Sequence, residues 1–411
     1  MEPLLPRYQV SEKTDIQSYG TVLKEEARQL HRQRLQKRQI KTSRWMSKIP
    51  DETLLSALSI PGTHDSAAYH SYLPFVVTQN LDIIQQLNAG IRYFDLRCGI
   101  RNNEIEMVHG RALLGAKLID ILTGIYTWLS AHPTEGIIAQ IKQDRAPESS
   151  DVTFVHGLWS VLDSSPNHWR TFPTTPTMAE LRGKIQLFRR FSAPPYRGID
   201  CSRWLDNPDK PFTIHTWSGV KVTIQDHYNP SSPMPLPDLV VSKGADVAGL
   251  LATADKDGDE SHWYINFASA YEINLWYQVQ PRTIAMGGYW DFQWVVGINP
   301  RLCQSLKQKR PGGTRGEEKE RHGKFRTGVL MMDFPEMVPD LITTVIETNY
   351  DRKRRKTRWR EPVHLMALFL LLVFVLGSVL VLVHGPVEGM WCPPMFHACA
   401  VRGRPWPESV R

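Results

Sequence analysis

The sequence predicts an α/β fold, a parallel sheet closed into a (β/α) barrel, on three observations. Short apolar runs with strand character alternate with helical stretches from about residue 52 onward, the pattern of a parallel sheet. About eight such strands fall within some 300 residues, the size of one closed barrel. Ionisable side chains recur directly after the strands, where a barrel keeps its functional face.

The strands are expected at Leu55–Ile60, Ile91–Leu96, Ile105–Val108, Gly136–Ile141, Lys184–Phe188, Val220–Ile224, Trp263–Phe267 and Val329–Met332. Each is a short apolar run with strand character. Helices are expected at Leu81–Asn88, Leu118–Ala131, Met178–Arg182, Pro300–Gln308 and Val338–Asn349. The run Cys303–Arg326 is Gly-rich and charged and reads as a surface insert within the barrel domain, 49–350. Ahead of that domain, residues 1–48 form a basic polar leader, in which Val22–Ile40 reads as a solvated arm with some helical character.

The chain of 411 residues carries a formal net charge of +7. That balance favours acidic partners such as anionic lipid headgroups or phosphate esters. No aromatic-interleaved basic motif supports nucleic-acid binding. Five cysteines show no C-x2-C spacing, so a structural zinc site is not expected. Only Cys392 and Cys399 lie close enough in sequence to suggest a disulfide, given an oxidising compartment.

Beyond a basic segment, 351–362, the stretch Val363–Val383 is apolar apart from His364, Gly377 and Ser378. It is long enough to span a bilayer. Seven Lys/Arg precede it within 351–360, against three in the 384–411 tail. The positive-inside rule then predicts a single-pass membrane protein with its large N-terminal part cytoplasmic and its tail luminal or extracellular. Met1–Gly20 has no apolar core, so no signal peptide is expected.

Seven strand ends carry groups suited to a phosphodiester. Ile60-Pro-Gly-Thr-His-Asp-Ser66 follows the first strand, Tyr93-Phe-Asp-Leu-Arg97 closes the second, and His109-Gly110 follows the third. Lys142, Arg189 with Arg190, Asp226 with Tyr228, and Asp333 follow four others. Cleavage needs one imidazole to take a proton from the attacking hydroxyl and a second to protonate the leaving oxygen. His64 and His109 are the candidates, and Asp65, Asp95 and Asp333 are available as carboxylate partners. Arg97 is the natural cation for the charge that builds on the phosphate oxygens. Taken singly, each residue has an ordinary structural explanation; together they point to one shared pocket. A glycerophosphodiesterase-like metal site fits less well, because the chain has Thr63-His64-Asp65 and no carboxylate cluster with ligand spacing.

The motifs Ile60–Ser66, Tyr93–Arg97 with His109-Gly110, and Gly328–Pro335 resemble the signatures of the phosphatidylinositol-specific phospholipase C X-domain superfamily. The likeness is to its bacterial-type enzymes and their fungal relatives, over roughly residues 45–350. It implies a distorted TIM-type barrel. It also implies cleavage of a phosphatidylinositol-type lipid to diacylglycerol and inositol 1,2-cyclic phosphate, with no metal and no cofactor. By the same resemblance His64 is the general base paired with Asp333, and His109 the general acid paired with Asp65. Arg97 takes the place by the phosphate. Asp95, Lys142, Arg190, Asp226 and Tyr228 line the headgroup pocket, the tyrosine by stacking, with Arg189 the neighbour choice at its strand end. The competing expectation is a membrane-tethered module that binds inositol lipids without turnover.

Overall fold

The computed structural model describes residues 40–309 and 325–350. Strands β1 (Ile60–Thr63), β2 (Tyr93–Arg101), β3 (Glu104–His109), β4 (Ala112–Lys117), β5 (Ile137–Gln143), β6 (Trp169–Arg170), β7 (Ile185–Arg190) and β8 (Ile199–Asp200) make up its first half. β9 (Phe212–His215), β10 (Lys221–Gln225) and β11 (Trp263–Phe267) follow. Two small hairpins come next, β12 (Glu272–Ile273) with β13 (Gln278–Val279) and β14 (Gly287–Trp290) with β15 (Gln293–Val296). The last strand is β16 (Val329–Met332).

Seven strands run parallel in the order β7-β5-β2-β1-β16-β11-β10. Phe188 on β7 meets Trp263 on β11 with ring centroids 4.9 Å apart, so the sheet curls round a shared interior. The barrel is not closed as expected. Among the described residues no ladder joins β7 to β10, and β9 lies antiparallel on the outer edge of β10. The reason lies in Ile105–Val108, counted as a barrel strand. It belongs to β3, which pairs antiparallel with β2 as the return arm of a hairpin. Asn102 and Asn103 make that turn at φ 49° and 65°, the left-handed conformations a tight hairpin needs.

The first strand also differs. Leu55–Ala57 is a 3-10 turn, and the strand is Ile60–Thr63, inside the motif itself. Proline is a poor central-strand residue because it lacks an N–H. Here β2 begins pairing only at Gly62, beyond Pro61, so the missing donor disrupts no ladder bond. A Cβ on Gly62 would come 2.6 Å from the Met331 sulfur, so the tight β1–β16 contact requires glycine.

The helices are α1 (Ile83–Ala89), α2 (Leu118–Ala131), α3 (Phe154–Asp163), α4 (Met178–Leu181), α5 (Leu236–Lys256), α6 (Pro281–Met286), α7 (Ile298–Lys309) and α8 (Leu341–Glu347). Two substantial ones were not expected. α3 contains Gly157, where a Cβ would meet Ile100 at 2.9 Å, so glycine lets the helix lie against the β2–β3 hairpin. α5 carries Gly244 and Gly249, which weaken the helical signal in the sequence. Trp45 and Met46, in the expected leader, are buried in the main core. Cys303–Lys309 of the expected insert is the end of α7, and 310–324 lies outside the described residues.

The membrane expectation is corrected. Among the described residues no helix is long and apolar enough to cross a membrane. The segment 363–383 on which the single-pass topology rested lies outside the described residues, as do 22–39 of the expected arm and the Cys392/Cys399 pair. The single-pass placement, with a cytoplasmic main part, is therefore dropped.

Candidate active site

His64 is the first residue after β1, and its N–H donates to the Met332 carbonyl (3.1 Å), which locks the motif to the end of β16. The next residue, Asp65, turns the chain at φ 41°. Thr78 Oγ1 donates to the carbonyls of both, and Gln79 Nε2 donates to that of His64 (2.8 Å). The polar turn is thus held from outside the barrel as well as from within.

His64 Nδ1 is 2.9 Å from Asp333 Oδ1, and its Nε2 is 3.2 Å from Asp65 Oδ2. Burial pulls the imidazole pKa down, but Asp65 and Asp333 outweigh it, and the net shift is upward. Pairing alone would lower the Asp333 carboxyl. Burial dominates there instead and lifts it above its ordinary value, with His64 pulling it part of the way back. Within the pair the rise at His64 prevails, since two carboxylates face its ring within ion-pair distance.

His109 sits at the end of β3, brought back to the barrel mouth by the hairpin. Its Nδ1 contacts the Val76 carbonyl at 2.8 Å and its Nε2 lies 3.3 Å from Asp65 Oδ2. Both ring nitrogens therefore face oxygen atoms, a carbonyl on one side and a carboxylate on the other. Asp65 stands between the two histidines rather than pairing with His109 alone. Its carboxylate has ion-pair proximity to both rings but no well-aligned hydrogen bond.

Arg97, on β2, places Nε 2.7 Å from Asp65 Oδ1 and 3.2 Å from Asp95 Oδ2. Burial would lower its pKa; the carboxylates around it raise it instead, so it is a permanent cation. Asp95 is buried, accepts from Gln140 Nε2 (2.7 Å), and is held below the usual carboxylate range. Burial opposes that shift, and Arg97, Arg190 and His64 overcome it. His64, Asp65 and Asp95 also form the one grouping with metal-ligand spacing among the described residues, their donor atoms within 4.8 Å of one another. The Arg97 guanidinium stands against two of the three.

The other expected residues divide into two groups. Lys142, at the end of β5, pairs with Asp144, which sequence reasoning passed over although it lies two residues further along the same strand end. Asp144 also accepts from the Gly110 N–H at 3.0 Å, tying β5 to the His109 turn. Across the site, the Arg190 guanidinium lies 3.9 Å from the Trp204 ring centroid and 3.8 Å from Asp226 Oδ2. Trp204 Nε1 donates to the same Asp226 oxygen at 2.8 Å. Arg190 Nε and Nη1 are buried without a protein partner, an arrangement proteins rarely keep without a ligand to serve. Arg189, the neighbour choice, points elsewhere: it donates to the Phe191 carbonyl (2.8 Å) and pairs with Asp200 (3.0 Å), whereas Arg190 faces Trp204 and Asp226. Tyr228 donates to Asp206 (2.8 Å) and stacks on Tyr271. Trp204 and Asp206 lie on the irregular stretch between β8 and β9, which offers no strand-end signal in the sequence.

Fold and site together bring two imidazoles, three carboxylates and a guanidinium to the C-terminal mouth of a parallel-stranded barrel. Residues 58–191 match the family model "Phosphatidylinositol-specific phospholipase C, X domain". The 1-phosphatidylinositol phosphodiesterase of Staphylococcus aureus (strain Newman) is 28% identical over 327 residues, 74% of this chain and 93% of its own. That of Listeria monocytogenes serovar 1/2a is 27% identical over 331 residues, covering 76% and 87%. A structure of the S. aureus phosphatidylinositol-specific phospholipase C, from work on modulating its membrane binding, superposes with a TM-score of 0.62 at 26% identity, covering 75% of this chain and 98% of that one. Residues 58–191 thus carry a phosphatidylinositol-specific phospholipase C X domain, and the chain is similar to the bacterial enzymes over about three quarters of its length.

Proposed function

We propose that the protein is a phosphatidylinositol phosphodiesterase that cleaves its lipid with His64 as base and His109 as acid. The observation that carries this reading is the convergence of His64–Asp333, His109–Asp65 and Arg97 on one mouth of the barrel. His64 Nε2 takes the proton of the inositol 2-hydroxyl while Asp333 fixes the opposite nitrogen and stabilises the imidazolium. The 2-oxygen attacks phosphorus as the bond to the glycerol oxygen breaks. His109 Nε2, beside Asp65, delivers a proton to that departing oxygen. The products are inositol 1,2-cyclic phosphate and diacylglycerol. Arg97 offsets the charge on the non-bridging oxygens, the task a metal ion would otherwise serve. Lys142, Arg190, Asp226 and Asp95 supply the polar wall for the ring hydroxyls, and Tyr228 a face for stacking.

The substrate sits in a lipid surface, and the rim is suited to meet one. Leu275 and Trp276 on the β12–β13 turn are 98% and 77% exposed, and Phe292 on the β14–β15 turn is fully exposed. Tyr277 and Trp290 touch, joining the two hairpins, and Tyr271 leads from them to the headgroup wall. Clustered exposed aromatics of this kind mark an interaction surface.

The test is product analysis with phosphatidylinositol vesicles in EDTA. Release of cyclic inositol phosphate that disappears in His64→Ala supports the reading. Vesicle binding without turnover between pH 5 and 8 would replace it with a lipid-binding module, and loss of activity in EDTA would reject the metal-free mechanism.

A further inference from the structure

We propose that Lys243 is a positioning residue for the headgroup wall, its ammonium clamping the end of β10 so that Asp226 and Tyr228 face the pocket. The inference rests on the phosphodiesterase reading for its kinetic form. Lys243 projects from α5 and is 2% exposed. Its Nζ donates to Gln225 Oε1 at 2.9 Å and to the His227 carbonyl at 2.6 Å. These residues flank Asp226 on either side. Gln225 Oε1 also receives the His227 N–H (3.0 Å), and Gln225 Nε2 donates to the Phe267 carbonyl (3.1 Å) and to Asn266 Oδ1 (3.2 Å). One buried cation thus holds the residues on both sides of a pocket carboxylate and, through one amide, ties β10 to β11.

The charges facing Lys243 come from three directions. Asp226 closes β10, Asp246 lies one turn along α5 and pairs with His227 (3.0 Å), and Asp333 closes β16. A methionine of similar length would fill the space without desolvating a charge, so packing alone does not call for lysine. Burial draws the ammonium pKa down to about 8 despite the three carboxylates, which places the clamp's charge within an accessible pH range.

The test compares wild type and Lys243→Met in steady-state cleavage of phosphatidylinositol in mixed micelles from pH 7 to 9.5. The expected result at pH 7 is a KM raised about tenfold with kcat within about threefold, since headgroup binding is lost while the histidine chemistry is kept. The wild-type KM should climb above pH 8, and the variant's should stay flat. An unchanged KM, or a fall in kcat at constant KM, would overturn the assignment. If the variant does not fold, the wild-type profile decides alone, and a KM flat across the range rejects the clamp. If the wild type binds lipid without turnover, the phosphodiesterase reading fails separately. The same comparison is then read in the dissociation constant for myo-inositol, and equal constants for the two proteins reject the clamp.

Discussion

Two histidines at opposite ends of the parallel strands carry the same first partner. His64 follows β1 and His262 precedes β11, and each has an aspartate oxygen 2.9 Å from Nδ1, Asp333 in one case and Asp257 in the other. They differ in the second nitrogen. His262 Nε2 is engaged by Thr223 Oγ1 at 2.8 Å, and Asp257 is shared with the Tyr264 hydroxyl at 2.6 Å. His64 Nε2 instead faces the Asp65 carboxylate, Arg97 beyond it and the second imidazole, with no aligned hydrogen bond. A histidine–aspartate pair is therefore not a sign of catalysis. The distinguishing feature is a nitrogen left available at the mouth of the barrel. The protonation tendencies diverge accordingly: burial moves His262 down, while the two carboxylates carry His64 up.

The sharpest way to break this contrast is to remove each imidazole. His64→Ala and His109→Ala should each lower kcat by about 10²–10⁴-fold, the usual worth of a positioned acid or base. His262→Ala should stay within a few-fold of wild type; a loss comparable to that of His64→Ala would end the distinction. Asp333→Asn comes next, with an expected drop of about 10²-fold, because the amide can hold the wrong tautomer of His64. Asp257→Asn should leave kcat alone and cost about 1–3 kcal/mol of stability, measured by urea unfolding, since it disturbs a partly buried hydrogen-bond cluster.

The smallest effect is in pH dependence. His64 must be neutral to act as a base, so the acid limb of kcat/KM should lie above pH 6.5, and a limb below that value contradicts the upward shift. For stability the two rings have opposite signs. His64, with its folded pKa raised, stabilises the fold below about pH 6.5, an effect lost as pH rises through the folded value. His262, with its folded pKa lowered, stays neutral where the unfolded ring protonates, so its contribution falls as pH drops below about 6.5. Removing each ring and comparing urea midpoints at pH 5.5 and 8 should show slopes of opposite direction.

β11 and β16 were legible because each buries every residue of a mostly apolar run, and both begin and end where the pattern places them. Strand-end reasoning also found His109, although β3 is an antiparallel return arm and not a barrel strand. The hairpin brings that end back beside β2, so His109 still lies within 3.3 Å of Asp65. Trp204, Asp206 and Lys243 were not legible. Two sit on irregular backbone, and the third acts from a helix whose glycines hide it, through hydrogen bonds spanning 16 to 18 positions. The β14–β15 hairpin escaped notice for a different reason: Asp291 and Phe292 adopt left-handed φ angles of 44° and 63° without a glycine to announce the turn.

Among the described residues, the gap between β7 and β10 leaves the sheet with two free margins. A free margin presents unpaired amides that another chain can recruit, the route to edge-to-edge aggregation. Here the margins end in β6 and β8, two residues each, and in β9, four residues with Thr213 and His215 exposed. Strands so short and so interrupted offer little template. The barrel is open, yet its colloidal behaviour should resemble that of a closed one.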